Sequence, residues 1–352
     1  MPIELTRRDV IRAGLAGTVA GGLSGCVYPS HHPAPGPLHQ PELDRVLILS
    51  DTHIAADTAT LSRARVNMAE RLRAVLAAMH RRDQRWTKHV GRDRLAPVPN
   101  PFGLRKMTTW SGQVDYRFGL VCGDTTYDIG TAGDYATLVD VLDPMRWMDI
   151  HLLLGNHDDR VNFRAVLDDP PSALTDKHVR KLGVDDGSRY CDWLLLDSLR
   201  RVDEVPGALE ARQLAWLEST LHEASGATSL GPSRGEGRNR PAVIVVHHPP
   251  VPDDDPQRPF SLQDHEAFWA IVAKHPNVKA VLHGHTHRWH PRRCSLGNRE
   301  VDLIGLPPTS YVFDEANPWG YVVADIDVGG ATFTLRAMDG HAADGDWVRV
   351  AF

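Results

Sequence analysis

The chain is 352 residues long, 42% hydrophobic and 24% charged. These are the proportions of a folded globular protein and exclude collagen-like, coiled-coil and wholly disordered architectures. Its 39 Lys and Arg against 45 Asp and Glu give a formal net charge of −6, so it lacks the clustered positive charge that coating a nucleic acid requires. The cysteines Cys26, Cys122, Cys191 and Cys294 lie far apart without a CxxC pair, which excludes a disulfide scaffold, a zinc ribbon and a thioredoxin-like redox site. The outlying feature is 19 histidines, since imidazole is both the commonest metal ligand and the usual acid or base near neutral pH.

In chain order, Arg7, Arg8 and Arg12 precede a Gly- and Ala-rich, weakly apolar run from Ala13 to Gly25. A charged start, a short apolar centre and a small-residue end read as an export signal. The stretch Thr6-Arg7-Arg8-Asp9-Val10-Ile11-Arg12 resembles a twin-arginine signal, and Leu23-Ser24-Gly25-Cys26 resembles a bacterial lipobox. These resemblances imply removal of residues 1–25, lipidation of Cys26, a Pro- and His-rich tether over 26–42, and an exported, membrane-anchored lipoprotein on the periplasmic or cell-surface side. A single domain is expected over 43–352.

From Asp44 onward short apolar runs alternate with helix-like segments, the signature of an α/β protein. Strands are expected at Arg45–Ser50, Phe118–Cys122, Ile150–Leu154, Trp193–Asp197, Ala242–His247 and Val278–His283. Helices are expected at Ala59–Arg82, Tyr135–Met145, Arg160–Leu167, Glu210–Glu223 and Asp264–Lys274. The later runs Val301–Leu306, Tyr321–Asp327 and Thr332–Ala337 read as a second sheet or an antiparallel extension. Two segments interrupt the alternation. Gln84–Arg117 carries several prolines with Trp86, Trp110 and Tyr116; it is too long for a plain connection, and one of its aromatic residues is expected to touch substrate. Ser225–Arg240 is rich in Gly, Ser and Arg and reads as a surface loop.

Five polar clusters follow strands directly, which is where α/β sheets form ligand sites. They are Asp51-Thr52-His53, Gly123-Asp124, Gly155-Asn156-His157-Asp158, His247-His248-Pro249-Pro250 and Gly284-His285-Thr286-His287. Each alone has a plainer explanation: an Asp at a strand end caps a helix, and Asn and Asp are ordinary turn formers. The last is stronger, because alternation along an extended backbone sends His285 and His287 to one side. Five in this order, all at strand ends, are not a chance set.

This combination resembles the calcineurin-like metallophosphoesterase superfamily, whose pattern is DxH, GD, GNH[DE], H and GHxH. The resemblance runs from about Asp44 to His287. It implies two central mixed β-sheets flanked by helices and a centre of two divalent or mixed-valence ions of Fe, Mn, Zn or Co. By motif, Asp51, His53 and His287 would hold the first ion and Asn156, His247 and His285 the second, with Asp124 shared. A hydroxide bridging the ions would attack the phosphorus, with His157 as the acid on the leaving oxygen and Asp158 orienting His157. The narrower stretches GNHDDR (Gly155–Arg160), LLLDS (Leu194–Ser198), GALEARQLAWL (Gly207–Leu217) and HHPPV (His247–Val251) are similar to the cyclic-nucleotide phosphodiesterase branch. They imply a phosphodiesterase on a small phosphoester, cyclic nucleotides first, with no specific nucleic-acid partner. The alternatives are a phosphomonoesterase or nucleotidase on the same site, and a non-catalytic metal-binding lipoprotein. Gly123 to Tyr127 also matches the GDxxY of purple acid phosphatases, but those have DxG where this chain has Asp51-Thr52-His53, so Tyr127 is expected to be a coincidence.

Overall fold

A computed structural model describes residues 43–84, 116–167, 172–224, 239–255, 257 and 259–352. The expected signal, Cys26, the tether, Trp86, Trp110, almost all of the 84–117 insertion and most of the 225–240 loop lie outside the described residues. Among the described residues, no helix is long and apolar enough to cross a membrane.

The strands form two six-stranded mixed sheets. In the first, β1 (Asp44–Leu49), β2 (Tyr116–Val121) and β3 (Ile150–Leu152) run parallel. Beyond β1 it is continued antiparallel by β10 (Gly320–Asp327), β11 (Gly330–Ala337) and β12 (Trp347–Ala351). In the second, β5 (Asp192–Leu196), β6 (Ala242–Val246), β7 (Val278–His283) and β9 (Arg299–Gly305) run parallel. Its antiparallel edges are β4 (Arg180–Leu182) and β8 (His290–Leu296). The late apolar runs therefore divide: Val301–Leu306 belongs to a parallel strand of the second sheet, and the next two extend the first. Strands β4, β8 and β12 escape the sequence reading because they are short or half-exposed edge strands carrying charge, the usual form of a protected edge.

Three apolar layers follow from the two-residue alternation of the strands. Val46, Ile48, Phe118 and Leu120 meet Trp193, Leu195, Val243, Val245 and Leu282 between the sheets. The opposite side of the first sheet, including Leu47, Leu49 and Val121, packs on helices α1 (Met68–Gln84), α2 (Ala132–Leu142) and α3 (Arg160–Leu167). The outer side of the second packs on α4 (Glu210–Ala224) and α5 (His265–Lys274). A strand buried on both faces is a continuous apolar run, as in β6.

The first helix starts later than its periodicity predicts. Ser62 accepts from the backbone of Arg65 at 2.8 Å to close a turn, and the Asn67 side chain accepts from Glu70 N at 2.9 Å to begin the helix. At α2, Thr131 and Asp134 form a reciprocal capping box, and Pro144 lies in a 3-10 turn just beyond the helix. Tyr116 opens β2 and is buried beside Trp147, with ring centroids 6.3 Å apart. It is a core residue at the strand end remote from the polar clusters, which corrects its expected role against substrate.

Candidate metal centre

The parallel strands of both sheets deliver their C-terminal ends to one place, and the backbone stitches those ends together. Asp51 N donates to Gly123 O at 3.2 Å and His53 N to Asp124 O at 3.0 Å within the first sheet. Across the sheets, His285 N donates to Asp51 Oδ1 at 3.1 Å, and the His247 Nδ1 lies 2.8 Å from Cys122 O. That last bond fixes the imidazole so that Nε2 faces Asp124 Oδ1 at 3.3 Å. Five expected ligands, Asp51, His53, Asp124, His285 and His287, have φ between 45° and 66°; only five other described non-glycine residues share that region. Such backbone is costly for residues with a Cβ and is held where surrounding bonds over-determine it, characteristically at functional sites.

Two motif glycines make the approach possible. A Cβ on Gly155 would collide with the carboxylate of Asp124 and the ring of His247, and one on Gly123, at φ 74°, would collide with the same ring.

Two clusters result. Asp51, His53, Asp124 and His287 bring one ligand atom each within 4.8 Å of one another, and so do His247, His248 and His285. In the first, His287 Nε2 lies 3.1 Å from Asp51 Oδ1 and 3.4 Å from His53 Nε2, while His53 Nε2 is 3.6 Å from Asp124 Oδ2. Asp124 thus turns one oxygen to each cluster. Asn156 is buried, and its Oδ1 has no hydrogen-bond partner. A buried amide oxygen is costly unless a hydrogen-bond donor or a cation meets it, and buried imidazoles around a shared carboxylate, with no thiolate, suit hard or borderline divalent ions. The residues present therefore fit two metal ions.

Electrostatics point the same way. Burial pushes His53 and His248 well below the ordinary imidazole range and His285 down to about 3, so these rings are neutral, as ligation requires. Burial opposes the charge on Asp51 and Asp124. The imidazoles outweigh it, holding Asp51 at about 2 and Asp124 well below its usual value, chiefly through His287 and His247 respectively. Burial likewise works against a charged His247, but Asp124 raises it to about 9. This is the pair that would release its shared proton on holding a divalent ion.

His157 stands beside the first cluster, its ring centroid 5.1 Å from that of His53. Its Nδ1 lies 2.8 Å from Asp128 O, leaving Nε2 for other work, and its backbone N donates to Asp124 Oδ1 at 3.0 Å. Asp158 does not orient this ring. Its buried carboxylate accepts from Gly155 N at 2.9 Å, Thr125 N at 3.1 Å, and the hydroxyls of Thr125, Thr126 and Tyr135. It ties two motif loops together, and the carbonyl of Asp128 holds His157 instead. This corrects the expectation from the motif.

The narrower stretches prove to be one interlocked scaffold. Arg160 of GNHDDR forks onto Asp197 of LLLDS at 2.7 and 2.9 Å. The Asp197 backbone exchanges two hydrogen bonds with Gln213 of GALEARQLAWL at 2.8 and 2.7 Å. Ser198 Oγ meets His248 Nδ1 at 2.8 Å, which turns His248 inward beside His285, ring centroids 4.7 Å apart. Cys122, buried directly after β2, has a thiol that donates to Val246 O at 3.5 Å. Tyr127 packs on Tyr311 at 6.2 Å, and Tyr311 packs on His53 at 4.7 Å. Tyr127 is thus one ring removed from the cluster.

The sequence reading missed a sixth strand end. After β9, Thr309 N donates to Ser50 O at 2.7 Å, Thr309 Oγ1 accepts from Ser50 N at 3.0 Å, and Ser310 Oγ donates to Thr52 O. This loop delivers Tyr311 and Phe313 to the site. Its signal was the polar run Pro307–Ser310 directly after an apolar strand, the same grammar as the other five clusters.

Comparison with known proteins agrees with the geometry. Residues 44–289 match the family model described as calcineurin-like phosphoesterase. A probable cyclic nucleotide phosphodiesterase of a Synechococcus species is 31% identical over 207 residues, 56% of this chain and 69% of that one. A 3′,5′-cyclic adenosine monophosphate phosphodiesterase of Vibrio vulnificus is 30% identical over 225 residues, 64% and 72% of the two chains. Among solved structures, a dimetal phosphatase from Danio rerio superposes with a TM-score of 0.57 at 14% identity, covering 88% of this chain and 99% of that one. A purple acid phosphatase of yellow lupin reaches 0.56 at 10% identity, covering 89% and 54%; at such identities these two bear on fold alone. With the family model spanning most of the chain and its motif residues gathered at one edge of two mixed sheets, this protein belongs to the calcineurin-like phosphoesterase family and is a metallophosphoesterase.

Proposed function

We propose that this chain is a phosphodiesterase acting on cyclic nucleotides at a dinuclear centre. In this reading Asp51, His53 and His287 hold one metal ion, Asn156, His247 and His285 the other, and Asp124 is shared between them. The observation that carries it is Asp124, one oxygen toward His53 and the other toward His247, at the seam between two clusters. Two such ions neutralise an anionic phosphoester and make water a competent nucleophile near pH 7.

The chain's own residues supply the rest. His157, with Nδ1 engaged by Asp128 O, presents Nε2 toward the reacting group and gives a proton to the departing alkoxide, which cannot leave unprotonated at neutral pH. His248 is buried with Nδ1 held by Ser198, so it offers a fixed Nε2 beside His247 and His285. Support for a diester over a monoester comes from the two relatives named above, both cyclic nucleotide phosphodiesterases by name. It comes also from the Arg160–Asp197–Gln213 scaffold built from the stretches similar to that branch.

Metal-loaded protein assayed on bis-p-nitrophenyl phosphate and p-nitrophenyl phosphate tests this. Chelator-sensitive turnover favouring the diester, and then turnover of 3′,5′-cyclic AMP, is expected. Preference for the monoester would move the assignment to a phosphatase or nucleotidase on the same ligands.

A further inference from the structure

We propose that Phe313 is the platform on which the nucleobase of the substrate stacks, and so a specificity-determining residue; this rests on the cyclic-nucleotide reading. Phe313 lies outside the stretch matched to the family, 44–289. It is 42% exposed, which for a single apolar side chain is ordinary. What is not ordinary is where it sits. Its ring lies parallel to that of His287, 9° between planes and 4.0 Å between centroids, and His287 Nε2 is 3.1 Å from Asp51. Tyr311 abuts it edge-on at 5.3 Å. With one face on His287 and an edge on Tyr311, the exposed part is the outer face.

The ring is also held in place. The loop is bonded to Ser50 and Thr52 as described, Arg71 Nη1 donates to Ser310 O at 3.2 Å, and Gly320 N donates to Pro308 O at 3.0 Å. Arg71 in turn lies over the Trp319 ring at 4.4 Å. Rings therefore run without a break from His157 through His53 and Tyr311 to Phe313, and a phosphoester seated by His157 and the metal ligands has a planar apolar surface directly beside the His287 ring. Any nucleobase has a π-face to offer such a surface, and the phosphate and sugar alone have none.

The test compares 3′,5′-cyclic AMP with the same cyclic ribose phosphate bearing a methyl group in place of the base. In Phe313→Ala, kcat/KM for cyclic AMP should fall about tenfold relative to the base-free diester, the effect of losing one base–aromatic stack. The loss should fall mainly in KM, and Phe313→Trp should restore it. Calorimetric binding of 5′-AMP against ribose 5-phosphate should show the same selective weakening, at unchanged metal content. Equal loss on both substrates, or falling metal content, would mean that Phe313 merely supports His287 and would overturn the proposal. An unchanged ratio would overturn it while leaving the cyclic-nucleotide reading intact. Wild-type protein that hydrolyses the base-free diester but no nucleotide would overturn both.

Discussion

Asp158 and His157 are neighbours with unlike work. The Asp158 carboxylate is buried and accepts from five donors on three segments, and burial raises its pKa without displacing that network. Asp158→Ala would strand the backbone N–H groups of Thr125 and Gly155 and the Thr125 hydroxyl away from water, each costing about 1–3 kcal/mol if unsatisfied. Chemical denaturation should therefore show a loss of about 3–5 kcal/mol, the scale of breaking a buried charged network. His157→Ala should unfold at nearly the wild-type denaturant concentration with catalysis greatly reduced. Were Asp158 an orienting partner of His157, the two variants would behave alike, with a normal fold and slow chemistry. The sequence placed both residues at the site, but GNHD alone cannot say whether the carboxylate bonds forward to the ring or back to the loop. The bond to Asp128 O comes from a loop outside the motif.

At the scale of elements, the expected strands of both sheets were legible because burial on both faces writes them as apolar runs, such as Ala242–Val246. Edge strands were not: His290–Leu296 exposes His290, Arg293 and Ser295, buries none of its residues fully, and gets its conformation from pairing with β9. Ligand positions were legible because each follows a strand, but the cross-links between motifs were not, since sequence distance hides them. Asp197 is the clearest case. It directly follows β5, is fully buried, and accepts from Arg160 at the start of α3, from His178 N at 2.7 Å and from Leu199 N at 3.0 Å. Asp197→Ala leaves the Arg160 guanidinium without its fork and should cost about 3–5 kcal/mol in thermal or denaturant unfolding. Arg160→Met paired with Asp197→Leu, which removes both charges, should recover much of that loss. If the single variant is as stable as wild type, these stretches are not the scaffold described here.

For the whole molecule, the division of labour is between two sheets that each carry part of the centre. The first supplies Asp51, His53, Asp124, Asn156 and His157, the second His247, His285 and His287, and cross-sheet bonds such as His285 N to Asp51 Oδ1 set them in register. Neither sheet holds a complete ligand set, so the centre exists only when the sandwich closes. The family pattern in the sequence already implied two metal ions, and in the proposed assignment the unpartnered Asn156 oxygen belongs to the second. Asn156 belongs to that set alone, which makes it the point at which the account is most exposed. The decisive measurement is elemental analysis of metal-reconstituted protein, wild type beside Asn156→Ala. Two ions per chain are expected in the wild type and one in the variant, with fold retained; one ion or none in the wild type, or two in both, would contradict the dinuclear reading.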